Sequence, residues 1–262
     1  MMRHIRSEYL WNNFTLAVGS MMMGLIILVS IITLAFSSAF ADPSPGVSVN
    51  NGLSKITYSV GFSDYIEGPV ENWIESKGFK FQDDIRDRNK LGLDIDDGAL
   101  VVKAKKPVRG FLINESIDLK DFSKVRIDWG ILRYPKGASY EKGIRNEALI
   151  LYVFFGNKKI SSGSLFIPNR PYFLGLFLCK DERPNYPYKG QYYHEGGRFV
   201  CLGKPKPGER VVSEFNLKKG FQSYFGKNEV PNISGITLGV DTASSGDGGK
   251  AAAFIKSIKF IK

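Results

Sequence analysis

Lys124-Val-Arg-Ile-Asp-Trp-Gly-Ile131 decides the fold class. Val125, Ile127, Trp129 and Ile131 fall on one side of an extended chain, and Lys124, Arg126 and Asp128 on the other. Successive side chains of a strand point to opposite faces, so this period of two marks a strand with one face on a core and one in water. Working outward, Ala148–Phe155 (ALILYVFF) is apolar at every position, which predicts a central strand covered on both faces. Ile236, Leu238 and Val240 alternate with Thr237, Gly239 and Asp241. Further strand candidates are Thr57–Phe62, Ala99–Ala104, Gly110–Ile117, Tyr172–Cys179, Arg198–Leu202, Arg210–Phe215 and Ala251–Ile261. Gly, Pro, Asn and Asp separate these runs, and the whole predicts an all-β sandwich. Helical pattern is confined to Val70–Ser76, anchored by Trp73, and to Asn216–Phe225, with Asn216 as cap and Gly226 as stop.

The chain has 262 residues and a formal net charge of +10. Arg3 and Arg6 precede a stretch from Tyr9 to Ala41 without a charged residue, and Met21–Phe36 within it is nearly all apolar. Ser37-Ser-Ala-Phe-Ala41 then leads into Asp42-Pro43. A basic start, an apolar run and a small–x–small ending describe a secretory signal cut after Ala41. The alternative is a retained anchor over residues 14–36, since a helix of about 20 apolar residues crosses a bilayer. Its basic end would stay in the cytoplasm. Both readings put residues 42–262 outside the cytoplasm, periplasmic or secreted. The expected organisation is a signal or hydrophobic anchor helix at 1–41, a Pro-, Gly- and Ser-rich linker at 42–55, and a β-sandwich domain at 56–262, large enough for its own core.

Beyond the leader the chain has one His (His194), two Cys and no Met. Such a set cannot furnish a poly-His metal centre, a Cys-rich zinc site, a bis-His haem or an iron–sulfur cluster. Cys179 and Cys201 have no other partner, and outside the cytoplasm they are expected to be bridged. Removing Arg3, Arg6 and Glu8 leaves a charge of +9, spread over Lys103, Lys105, Lys106, Arg109, Lys204, Lys206, Lys218 and Lys219. No run is long enough for a nucleic-acid arm, and no nucleic-acid partner is expected. A positive excess of this size fits solubility, or attraction to anionic polymers.

Several segments occur in a familiar order: Gly98–Ala104 (GALVVKA), Ser116–Trp129, Pro135–Ala138, Leu151–Phe154 (LYVF), Val212–Gly226, Ile233–Thr242 (ISGITLGVDT) and Ala251–Phe260. This order resembles the exported bacterial family known as the domain of unknown function numbered three thousand and forty-seven, over most of residues 60–262. The resemblance implies a jelly-roll, galactose-binding-like sandwich similar to carbohydrate-binding modules, and it implies no activity. The chain departs from the family where paired acids precede the Tyr-Val-Phe strand, having Arg145-Asn-Glu147 there. Its Tyr-rich insertion at 183–195 is also more elaborate.

That insertion, bracketed by the cysteines, is the leading candidate site. Tyr186, Tyr188, Tyr192 and Tyr193 offer aromatic faces for sugar rings, and Arg183, Asn185, Gln191 and Glu195 offer directional hydrogen bonds. The competing reading is a loop that folds over the sandwich edge and buries its own rings. Asp241 and Asp247, in Asp241-Thr-Ala-Ser-Ser-Gly-Asp-Gly-Gly249, are hard oxygen ligands for a structural calcium, or the acids of a plain turn. Enzyme readings have less to stand on. A Ser/His/Asp triad must use His194, and no Gly-x-Ser-x-Gly precedes it. Asp94, Asp96 and Asp97 read as a strand end and turn. A glycosidase needs two carboxylates on one cleft, for which Glu147, Glu195, Glu214 and Asp241 are the acids to watch. The expectation is a non-enzymatic module for a polysaccharide or envelope component. The rivals are an accessory subunit of a membrane protein complex and a glycan-active hydrolase.

Overall fold

The computed structural model describes residues 54–262. Thirteen strands run β1 Ile56–Gly61, β2 Lys80–Asp83, β3 Leu91–Asp96, β4 Ala99–Ala104, β5 Arg109–Asn114, β6 Lys124–Arg133, β7 Glu147–Ile160, β8 Arg170–Phe177, β9 Pro187–Tyr188, β10 Gly197–Cys201, β11 Arg210–Asn216, β12 Ile233–Asp241 and β13 Ala251–Ile261. Two short α-helices, α1 (Val70–Ser76) and α2 (Leu217–Phe225), and two single 3-10 turns, Asp84–Arg86 and Tyr140–Lys142, join them. The strands form two sheets of a jelly-roll β-sandwich. One has the order β11-β6-β13-β4-β3 with β1 also on β13, and the other the order β2-β5-β12-β7-β8-β10-β9.

Alternation builds the core between the sheets. Val125, Ile127, Trp129 and Ile131 of β6 are all buried, as are Leu112 of β5, Leu151 and Val153 of β7, and Ile236, Leu238 and Val240 of β12. Trp129 brings one polar atom inside, and its indole N–H donates to Ser213 Oγ at 3.0 Å. The outer face of β6 and β11 carries a charge ladder of Arg210–Asp128 and Arg126–Glu214 pairs. The α2 cap follows the sequence: Asn216 Oδ1 accepts from the Lys219 N–H at 2.9 Å, and Gly226 ends the helix at φ 63°.

Three strands escape the sequence pattern: β2, β3 and the two-residue β9 within the Tyr-rich loop. In β3, Leu91, Leu93 and Ile95 alternate with Gly92, Asp94 and Asp96, so the acids expected at a strand end and turn do close a strand, which begins earlier, at Leu91. Asp97 and Gly98, both at positive φ, turn it into β4. The four-residue β2 is too short to show a period.

β8 and β10 run parallel, whereas the other paired strands are antiparallel. Parallel neighbours need a crossover. Residues 178–196 supply it by passing over the outer face of the seven-stranded sheet. Cys179 and Cys201 are joined by a disulfide at the base of this connection, as expected and consistent with export.

The leader and most of the linker lie outside the described residues. Among the described residues no helix is long and apolar enough to cross a membrane. The expected transmembrane helix is therefore not found in the described structure, and residues 14–36, to which it was assigned, lie outside the described residues.

Candidate functional site

The outer face of the seven-stranded sheet is an open aromatic floor. Phe111 and Ile113 of β5, Tyr152 and Phe154 of β7, Phe173 of β8 and Phe199 of β10 project from it. The rings are contiguous: Phe111–Tyr152 at 6.3 Å between centroids, Tyr152–Phe173 at 5.6 Å, Phe154–Phe173 at 5.7 Å and Phe173–Phe199 at 5.7 Å. Glycines on neighbouring strands give them room. Gly175 pairs with Tyr152 across β7 and β8, and a Cβ there would sit 3.1 Å from Phe199 and 3.4 Å from Tyr152. Phe111, Tyr152 and Phe154 are only half-buried. The expectation that β7 is covered on both faces is thus corrected, because its outer side is the floor of a groove of about 840 Å³.

The crossover makes one wall. Its first half packs down as a second apolar cluster, in which Tyr140 stacks on Phe177 at 4.9 Å and meets Tyr188 at 5.5 Å. Of the residues singled out in the sequence, Gln191, Tyr192 and Tyr193 line the groove. Tyr193 rests its ring on Phe173 at 5.5 Å and donates its hydroxyl to the Pro168 carbonyl at 2.6 Å. The others lie elsewhere. Tyr188 is buried, and its hydroxyl accepts from the Arg183 N–H and donates to Glu141. Arg183 pairs with Glu141 at 3.1 Å and covers the ring of Tyr186 at 3.9 Å. Glu195 is exposed and does not line the groove. The loop thus buries one tyrosine, Tyr188, and sets two others, Tyr192 and Tyr193, along the groove.

At one end of the floor Asp241 of β12 and Glu147 of β7 are register partners. Between this pair and the pair Gly239 with Ile150, β7 advances three residues and β12 two. The extra residue is a β-bulge, which re-aims the side chains beyond it. Without it Glu147 would share the face of Leu149 and Leu151, which is the core. Glu147 instead lines the groove while 5% exposed, and Tyr140 donates its hydroxyl to Oε1. Burial pushes its carboxyl up to about 8, against the Tyr140 hydrogen bond and the Arg145 charge, which pull the other way. Asp241 is held differently: Arg109 Nε donates to it at 2.7 Å and the Ala243 N–H at 3.0 Å. Glu214 sits on the other sheet, paired with Arg126.

Asp247 pairs with Arg133 at 2.7 Å and accepts from Ser245 Oγ at 2.7 Å; that hydrogen bond and the arginine hold its carboxyl below the usual range. Each of the two acids considered for calcium is thus engaged by an arginine. Among the described residues no group of three or more His, Cys, Asp or Glu side chains is placed to share a metal ion.

No protein-family model matches the chain and no curated protein matches it, so the family resemblance has no support beyond the motifs quoted for it. Among solved structures the chain is similar to the potassium-bound carbohydrate recognition domain of Emp46p, at 11% identity and a TM-score of 0.40, over 79% of this chain and 98% of that one. It is also similar to the K1 cleaved adhesin domain of Lys-gingipain from Porphyromonas gingivalis W83 (10%, TM-score 0.34, 78% and 96%). A third is the low-affinity xylan binding module CBM86 from Roseburia intestinalis (11%, TM-score 0.32, 71% and 91%). Likeness at this level carries no argument about ligand.

Proposed function

We propose that the chain is an exported binding module whose groove holds a carbohydrate-like chain of the cell envelope or its surroundings. One observation carries this: a contiguous aromatic floor on which Phe111, Tyr152 and Phe154 are half-exposed, walled by Gln191, Tyr192 and Tyr193, with polar groups at its end. Aromatic faces hold the apolar faces of sugar rings, and a few placed polar groups set orientation. The test is a panel of soluble glycans titrated against the full chain in mild detergent. Tyr192→Ala and Phe154→Ala should each weaken binding about two- to tenfold, the worth of one aromatic contact. Tyr186→Ala, outside the groove, should leave it unchanged. Equal binding by all three variants and the parent removes the proposal.

A second reading has one observation in its favour. Glu147, kept protonated near neutral pH, faces the same groove as the arginine-bound Asp241. A proton donor and a carboxylate on one groove are what glycoside hydrolysis needs. Release of reducing ends from a bound glycan, lost in Glu147→Gln, would favour that reading over simple binding.

A further inference from the structure

The described residues contain ten arginines, and their partners divide them sharply. Arg86, Arg88, Arg109, Arg126, Arg133, Arg183 and Arg210 each pair with a carboxylate. Arg198 is buried and bonds the carbonyls of His194 and Gly197, both at 2.7 Å. The remaining two, Arg145 and Arg170, have no carboxylate within pairing distance among the described residues. Both line the groove. They flank the same wall. Arg145 reaches Gln191 Oε1 with a long contact of 3.4 Å, and Arg170 lies beside Tyr193. Lys159, also without a paired acid among the described residues, precedes Ile160, the register partner of Arg170.

We infer that the groove takes an acidic glycan, whose oxyanion groups are bound by Arg145 at one end of the wall and by Arg170 with Lys159 at the other. This rests on the binding reading above and names its ligand class. A guanidinium offers paired N–H donors that match the two oxygens of a carboxylate or the oxygens of a sulfate. Two cation points along an aromatic track suit a polymer with repeating anionic groups. The acids of the groove do not cancel them. Asp241 is neutralised by Arg109, and Glu147, although it feels the Arg145 charge, is buried against the Tyr140 hydroxyl with its carboxyl pushed up to about 8. Asp83 ends β2 and Glu115 follows β5, with β12 between them and the strands β7 and β8 that carry Lys159 and Arg170. Neighbouring strands are about 4.8 Å apart, so these acids stand roughly 10 Å or more from Lys159 and Arg170.

The experiment compares polygalacturonate with its fully methyl-esterified form, which keeps the sugar chain and removes the charge. Dextran sulfate and dextran form a second pair, and alginate and hyaluronate extend the uronates; all are titrated against the full chain in mild detergent. An acidic member should bind at least tenfold more tightly than its neutral partner, and weaken as salt rises. Arg145→Gln and Arg170→Gln should each cost about tenfold or more on it, the loss of a charged hydrogen bond, at unchanged melting temperature. Arg126→Gln, on the other sheet, should cost nothing. Preference for the uronate or the sulfated pair identifies which oxyanion is read. Equal binding of charged and neutral forms, or equal losses for Arg126→Gln, overturns the inference and leaves the binding module standing. No binding to any polymer overturns both.

Discussion

Glu147→Gln is the most informative substitution in the groove. The buried carboxyl has its pKa raised from an ordinary 4.5 to about 8, chiefly by burial. A folded-state pKa above the unfolded one means that the folded protein keeps a proton that the unfolded chain releases. That stabilisation is fully present below about pH 4.5, is lost as pH rises, and is gone above about pH 8. Each pKa unit is worth about 1.4 kcal/mol, so the whole excursion amounts to roughly 5 kcal/mol as a ceiling. Gln is an uncharged isostere, and its Oε1 can accept from the Tyr140 hydroxyl as Glu147 does. It has nothing to titrate.

The assay is thermal unfolding of parent and variant from pH 4.5 to 9. The two should melt together at the acid end. The parent should then fall behind through pH 5–8, and the gap should stay constant above that. At about 2–4 °C per kcal/mol for a domain of this size, the ceiling corresponds to a gap of roughly 10–20 °C. A gap of less than about 3 °C at pH 9, or an offset that does not change with pH, would refute the burial argument and mean that Glu147 ionises like a surface acid.

Two further expectations concern the scaffold. Replacing Cys179 and Cys201 together by Ala should cost about 3 kcal/mol in denaturant unfolding, since the bridge closes a loop of sequence separation 22; a loss below 1 kcal/mol would show that the second aromatic cluster holds the crossover by itself. Gly197→Ala would drive a methyl group into the Phe173 ring, with which Gly197 is paired across β8 and β10. Overpacking of this kind costs about 1–3 kcal/mol, and the displaced ring should also weaken glycan binding; a fully stable variant with intact binding would mean that the floor yields freely.

Much of the sandwich was legible because its core strands obey one rule. Ala99–Ala104 and Ala251–Ile261 begin and end where their apolar residues do, and Val125 to Ile131 alternate without a break. The α2 helix was equally plain, since Asn216 and Gly226 are residue types that the ends of a helix select. Where the reading failed, the pattern was incomplete. Phe81 alone of β2 is apolar, and it is flanked by Lys80, Gln82 and Asp83. In β3 the acids do mark a strand end and turn, but the half-exposed Leu93 and Ile95 beside them are too few to announce the strand that leads up to it.

The loop wall of the groove was legible in Gln191, Tyr192 and Tyr193, but its floor was hidden for the opposite reason: the floor residues obey the core rule too well. Tyr152 and Phe154 sit among buried neighbours in ALILYVFF, and an aromatic on an open floor has the same composition as an aromatic under a helix. What separates the two is whether anything covers that face. Coverage here is decided by residues 178–196, which must cross the sheet because β8 and β10 are parallel. They cross over Phe177 and Phe199 and stop short of Phe111 and Phe154, so half of an apolar face becomes a second core and half becomes a groove. Glu147 shows the same limit at one residue. Strict alternation from Leu149 and Leu151 assigns it to the core, where a lone carboxylate is costly. The bulge opposite Gly239 and Asp241 turns it to the groove instead. Neither the crossover's path nor the bulge is a property of the strand that carries the residue, and so neither can be read from that strand's own sequence.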